Sequence, residues 1–95
     1  MKRVLITGSS GLIGSEAVTF FDERGWEVHG VDSNMRRDFF GPDGDTTWNL
    51  ERLRRVTRHF THYNLDIRNR EGILDLVKTL RPDLIIHCLP SLLMI

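Results

Sequence analysis

Thr7-Gly8-Ser9-Ser10-Gly11-Leu12-Ile13-Gly14 decides the fold. It follows the short apolar run Val4-Leu5-Ile6, which reads as a strand buried on both faces. It opens a stretch over residues 12–24 in which Leu12, Ile13, Ala17, Val18, Phe20 and Phe21 form a helical apolar stripe, closed by Gly25. Strand, glycine turn and helix in that order are the context that gives a glycine pattern meaning. The first glycine lets the chain turn out of the strand without a Cβ clash. The second lets backbone approach a pyrophosphate, and the third lets the helix pack close to the sheet. The helix start then offers free N–H groups and the positive end of its dipole to phosphates. The spacing is G-x-x-G-x-x-G rather than G-x-G-x-x-G, position 10 being serine.

Working outward, residues 26–32 alternate with Trp26, Val28 and Val31 among polar residues and predict a second strand. Residues 33–45 contain Gly41-Pro42-Asp43-Gly44-Asp45, a dense turn signal, and read as a loop. Thr46 or Thr47 can cap a helix to about residue 58, with Trp48, Leu50, Leu53 and Val56 as its buried candidates. Residues 60–66 predict a third strand. Asn69 can cap a third helix with Ile73, Leu74, Leu76, Val77 and Leu80 inward, stopped by Arg81-Pro82. Leu84-Ile85-Ile86 is the fourth strand. Strands alternating with helices imply an α/β fold on a parallel sheet with right-handed crossovers.

Asp32 ends the second strand, 18 residues after Gly14. A carboxylate there can accept hydrogen bonds from both ribose hydroxyls of an adenosine, and it repels a 2′-phosphate. That favours NAD over NADP, while Arg36 and Arg37 nearby could receive such a phosphate and keep NADP open.

Composition narrows the rest. The 95 residues allow one small domain, and 13 basic against 13 acidic side chains leave no net charge to draw in nucleic acid. A single cysteine, Cys88, cannot form an internal disulfide and fits a reducing compartment. No apolar run reaches the roughly 18–20 residues of a membrane span, and Met1-Lys2-Arg3 leads into too short an apolar run for a signal peptide. The expectation is a cytoplasmic protein without membrane or nucleic-acid partners.

The glycine motif with Asp32 resembles the extended short-chain dehydrogenase/reductase family, which includes NAD-dependent nucleotide-sugar epimerases and dehydratases. Asn64-Leu65-Asp66-Ile67-Arg68-Asn69 looks like that family's element after the third strand, and Leu84-Ile85-Ile86-His87-Cys88 like its fourth strand and following turn. The stretch from Asp32 through Met35 to Gly41 is similar to CDP-paratose 2-epimerase-like members. The resemblance implies the first half of a Rossmann-type doubly wound sheet, strand order 3-2-1-4, ending after the fourth strand. It implies NAD as cofactor, held through Gly8, Ser10, Gly11, Leu12, Ile13, Gly14 and Asp32, with Asp66 and Ile67 at the adenine. It implies reversible hydride transfer at a sugar carbon, a nucleotide-sugar substrate, and homodimers as an arrangement open to the family.

The family's catalytic base is a tyrosine assisted by a lysine four residues on, whose charge favours the phenolate. Here Tyr63 is followed at that distance by Ile67, and the lysines are Lys2 and Lys78. No catalytic residue is therefore assigned, Tyr63 reads as a strand residue, and the chain alone is expected to be inactive. A non-catalytic NAD(P)-binding or redox-sensing module, an enzyme completed by a separately encoded half, and a ligand-free interaction fragment are the alternatives. Residues 1–88 read as a partial NAD-binding domain, and residues 89–95 as a departure from the family pattern. A coding string for the family's continuation, GCT GCC CAG CCT TCT CAT GAT C, gives Leu-Pro-Ser-Leu-Leu-Met-Ile once its first G is removed, which is the sequence of residues 89–95. An out-of-frame tail is the expectation. It would leave the Leu84-Ile85-Ile86 strand as an exposed apolar edge prone to aggregation.

Arg52, Arg54, Arg55, Arg58, Arg68 and Arg70 read as a solvated face, since Glu51 and Asp66 interleave and no aromatic platform accompanies them. His29, His59, His62 and His87 lack zinc-ligand spacing with Cys88 and read as structural, with no metal site. Trp26 and Trp48 read as packing residues and Cys88 as a buried strand-end thiol.

Overall fold

The structure, a computed structural model, describes residues 1–33 and 47–88. The elements run β1 (Arg3–Thr7), α1 (Leu12–Glu23), β2 (Glu27–Val31), α2 (Thr47–Val56), β3 (Phe60–Tyr63), α3 (Arg70–Leu80) and β4 (Leu84–His87). All strand pairs are parallel and the order is β3-β2-β1-β4, the order expected from the sequence. Register sets Val4 beside Val28 and Leu84, and Val28 beside Phe60.

Side chains alternate along β1 and so feed two cores. Val4 and Ile6 join Val28 beneath Val18 of α1 and Leu53 of α2, all fully buried, with Phe21, Trp26, Phe60 and Ile86 around them. Leu5 faces the other way and packs with Val31 and Leu80, near Ile73, Leu76 and Val77 of α3. Helices thus cover both faces of the sheet, which is what a doubly wound fold requires of strands that are apolar on both sides.

Polar groups in the second layer are paired. His29, 7% exposed, shares hydrogen bonds with Glu27 at 2.6 Å and the Tyr63 hydroxyl at 3.0 Å, and Arg3 joins Glu27 at 2.9 Å. At the turn into β3, the Asp22 carboxylate accepts from the backbone N–H groups of Arg58 and His59. The Asn69 side chain caps α3 by accepting from Gly72 N at 3.1 Å. That helix stops at Arg81, whose φ of 49° is left-handed, ahead of Pro82.

The sequence reading needs correction at several points. β2 and β3 are shorter than residues 26–32 and 60–66, because the chain leaves the ladder at Asp32 and Asn64 to form the turns of the site. Leu12 and Ile13 are not core residues: the first turn of α1 lies at the sheet edge, and they are 69% and 74% exposed. Phe20, Val56 and Leu74 are exposed as well, Phe20 beneath the Arg24 guanidinium. Helical spacing set the stripe's angle correctly but made it wider than the sheet it meets. The loop over residues 34–45 with Arg36 and Arg37, the Trp48 side chain and residues 89–95 lie outside the described residues.

Candidate cofactor site

The glycine loop crosses the carboxyl ends of β1 and β2. Gly8 has a φ of 74°, a left-handed conformation, and its N–H donates to the Val31 carbonyl at 2.7 Å. The chain then folds back, Gly11 N donating to Gly8 O at 3.1 Å and Ser15 N to Gly11 O at 2.9 Å. Gly14 is needed for packing: a Cβ there would stand 2.0 Å from Gly8 O. Gly30 is needed for the same reason, since its Cβ would meet Ser9 Oγ at 2.4 Å and Phe60 Cε1 at 2.6 Å.

Gly11 differs from these. Its φ of −73° and ψ of 174° suit any residue, and among the described residues a Cβ would meet only Gly8 O, at an acceptable 3.4 Å. Neither a positive φ nor a clash with the described residues requires glycine there. It is also the N-cap residue of α1, with no side-chain cap and no acidic residue in the first turn. Among the described residues no acidic side chain lies in the first turn of α1, and a helix start of this kind suits an anion.

Asp32 closes the loop from the β2 side. Its carboxylate accepts from Ser10 N at 3.0 Å, and its own N–H donates to Tyr63 O at 3.2 Å. The structure thus joins Gly8, Ser10, Gly11, Gly14 and Asp32 in one unit, with Leu12 and Ile13 exposed on its rim. Asp66 and Ile67 follow the carboxyl end of β3, the neighbour of β2 in the parallel sheet. The Asp66 carboxylate is gripped by the Arg68 side chain at 2.6–3.0 Å and by Arg68 N at 2.8 Å, which holds its pKa below the usual value. At the β1–β4 end, Thr7 Oγ1 and His87 Nδ1 are 2.7 Å apart. Cys88 follows, half-buried, with burial raising its thiol pKa.

Among the described residues, the buried polar side-chain atoms without a hydrogen-bond partner are Ser9 Oγ, Ser33 Oγ and His62 Nδ1. Their positions are not scattered. Ser9 precedes Ser10, which bonds Asp32, and Ser33 follows Asp32. His62 pairs with Gly30 in the ladder and feels the charge of Asp32. Among the described residues no cluster of His, Cys, Asp or Glu could hold a metal, and no helix is long and apolar enough to cross a membrane.

The NAD dependent epimerase/dehydratase family matches residues 4–91. The chain belongs to this family. A GDP-mannose 4,6-dehydratase of Yersinia enterocolitica is 32% identical over 90 residues, covering 87% of this chain and 22% of the relative. The Bordetella bronchiseptica enzyme WbmH, solved in complex with NAD+, is 28% identical with a TM-score of 0.72, over 94% of this chain and 26% of that one. A UDP-glucose-4-epimerase from Stenotrophomonas maltophila, solved with NAD and formylated UDP-arabinopyranose, is 28% identical with a TM-score of 0.74, over 94% and 24%. The chain therefore spans about a quarter of the length of these similar proteins.

The sequence pointed to the glycine loop and Asp32, His62 was read from it as structural, and Gly30 and Ser9 were given no role of their own. A glycine inside a strand pattern signals close approach by another backbone or side chain, and that signal was present at Gly30.

Proposed function

We propose that this chain holds the adenosine and pyrophosphate parts of NAD and is the N-terminal portion of a nucleotide-sugar epimerase acting on a CDP-sugar at C2. The pyrophosphate lies over Gly8, Ser10, Gly11, Leu12, Ile13 and Gly14, where N–H groups of the α1 start face it. Asp32 accepts from the adenosine ribose, exchanging part of its bond with Ser10 N for the ribose hydroxyls. Asp66 and Ile67 border the adenine. The bound cofactor supplies a hydride acceptor at its nicotinamide end, and the chain's own residues bind and orient the opposite end.

The observation that carries this reading is Gly11, which neither a positive φ nor a Cβ clash among the described residues requires to be glycine. Close approach by a ligand accounts for a glycine at this place in the loop. The orphaned polar atoms around Asp32 point the same way. The preference for a CDP-sugar rests on the resemblance carried by the stretch from Asp32 to Gly41. Inactivity of the chain alone rests on Tyr63, whose hydroxyl is taken up by His29 and which has no lysine four residues on.

Calorimetric titration of NAD into the chain tests the binding half, with a one-to-one isotherm expected and a flat trace refuting it. Incubation of the chain with NAD and CDP-sugars, followed by chromatography, tests the rest. No turnover is expected from the chain. Conversion of the sugar by the chain alone would refute the assignment of catalysis elsewhere.

A further inference from the structure

We infer that His62 is a binding residue at the adenosine end of this site, its Nδ1 forming a hydrogen bond with the adenosine part of the ligand. The inference rests on the cofactor reading above and adds a residue to it. His62 lies in β3 opposite Gly30, and Gly30 has no side chain to stand between them. Ser9 occupies the space over Gly30, within 2.4 Å of where a Cβ would be. The His62 ring feels the charge of Asp32, Ser33 follows Asp32 directly, and Ser9 precedes the Ser10 whose N–H donates to Asp32.

A buried ring nitrogen without a partner costs stability that an apolar strand residue would not. Orphaned polar atoms in a native fold call for a reason, and here they share one neighbourhood. Burial, with Arg54 adding repulsion, lowers the His62 pKa, so the ring is neutral at neutral pH. A neutral imidazole carries one donor and one acceptor nitrogen and can serve either a ribose hydroxyl or an adenine nitrogen. It does so without neutralising Asp32, whose charge the ribose hydroxyls need.

The test uses adenosine 5′-diphosphate as probe, titrated calorimetrically into the whole chain and into His62→Leu and His62→Asn. Wild type binds; His62→Leu binds about 3- to 10-fold more weakly, the worth of one neutral hydrogen bond. His62→Asn, which can place an amide atom near the Nδ1 position, returns to within about twofold of wild type. The thermal midpoint of unliganded His62→Leu equals or exceeds that of wild type, because an orphaned polar atom has been removed. Equal binding by wild type and His62→Leu overturns the role of His62 and leaves the cofactor reading standing. Equal losses in both variants overturn it as well, since a packing change alone accounts for them. Absence of binding by wild type overturns the cofactor reading together with this one.

Discussion

Gly14 stands so close to Gly8 that a Cβ on the former would lie 2.0 Å from the carbonyl oxygen of the latter. The contact fixes how near α1 comes to the end of β1 and so where the helix start points. Replacing Gly14 with alanine must push the helix off the loop. We expect Gly14→Ala to lose about 3 kcal/mol or more of stability, at or above the upper range for overpacking, because the obstacle is backbone. Urea denaturation measures it; a midpoint like that of wild type would show that the loop yields.

The bond from Ser10 N to Asp32 separates structure from charge. Asparagine can still accept that hydrogen bond but carries no charge. Asp32→Asn is expected to change stability by less than about 0.5 kcal/mol. The ratio of NADP to NAD affinity should rise by about tenfold, equivalent to ~1.4 kcal/mol, as repulsion of the 2′-phosphate disappears. Parallel titrations with both nucleotides decide it, and an unchanged ratio would remove Asp32 from the ribose.

Acid should weaken the fold in two stages. Burial, then Arg54, holds His62 below its ordinary 6.5, so the folded state binds fewer protons than the unfolded chain and stability falls as pH drops below that value. The hydrogen bond with His29, aided by Arg3, holds Glu27 below 4.5, so its contribution is present above that pH and is lost as pH falls through the folded-state value. Urea midpoints followed from about pH 8 to about pH 3 should show both declines. His62→Leu should remove the upper one, and Glu27→Gln should reduce the lower, to which Asp66, also held below its usual pKa by Arg68, contributes the rest. A flat profile in wild type would contradict both assignments.

Leu84 and Ile85 are 39% and 52% exposed on β4, an edge of the described sheet. Apolar edge strands invite intermolecular pairing, and lysine is a common guard. Ile85→Lys is expected to slow aggregation of the chain, followed by light scattering at matched concentration, while altering stability by less than about 0.5 kcal/mol. Aggregation at the wild-type rate would place the adhesive surface elsewhere.

The sequence carried those features whose causes are local. The glycine loop, the Asn69 cap and the stop at Arg81-Pro82 each depend on a few adjacent residues, and the structure has them. The parallel sheet followed from the alternation of strands and helices, and its strand order from the family resemblance. What was missed depends on register between distant segments. His29 meets Tyr63 only because β2 and β3 align Val31 with Tyr63. Gly30 is required only because Ser9 and Phe60 arrive from either side. Leu12, Ile13 and Leu74 continue the apolar spacing of their helices, and spacing alone does not show where the opposing surface ends.

In the proposed function Gly11 is glycine for a ligand, and not for a turn or a contact with the described residues. Titration of NAD into wild type and Gly11→Ala, with the thermal midpoint of each recorded in the same buffer, tests it most directly. Closely similar midpoints and an affinity loss of at least about tenfold, or ~1.4 kcal/mol, are expected in the variant. Equal NAD affinity in the two proteins, or a collapse of the midpoint in Gly11→Ala, would contradict it.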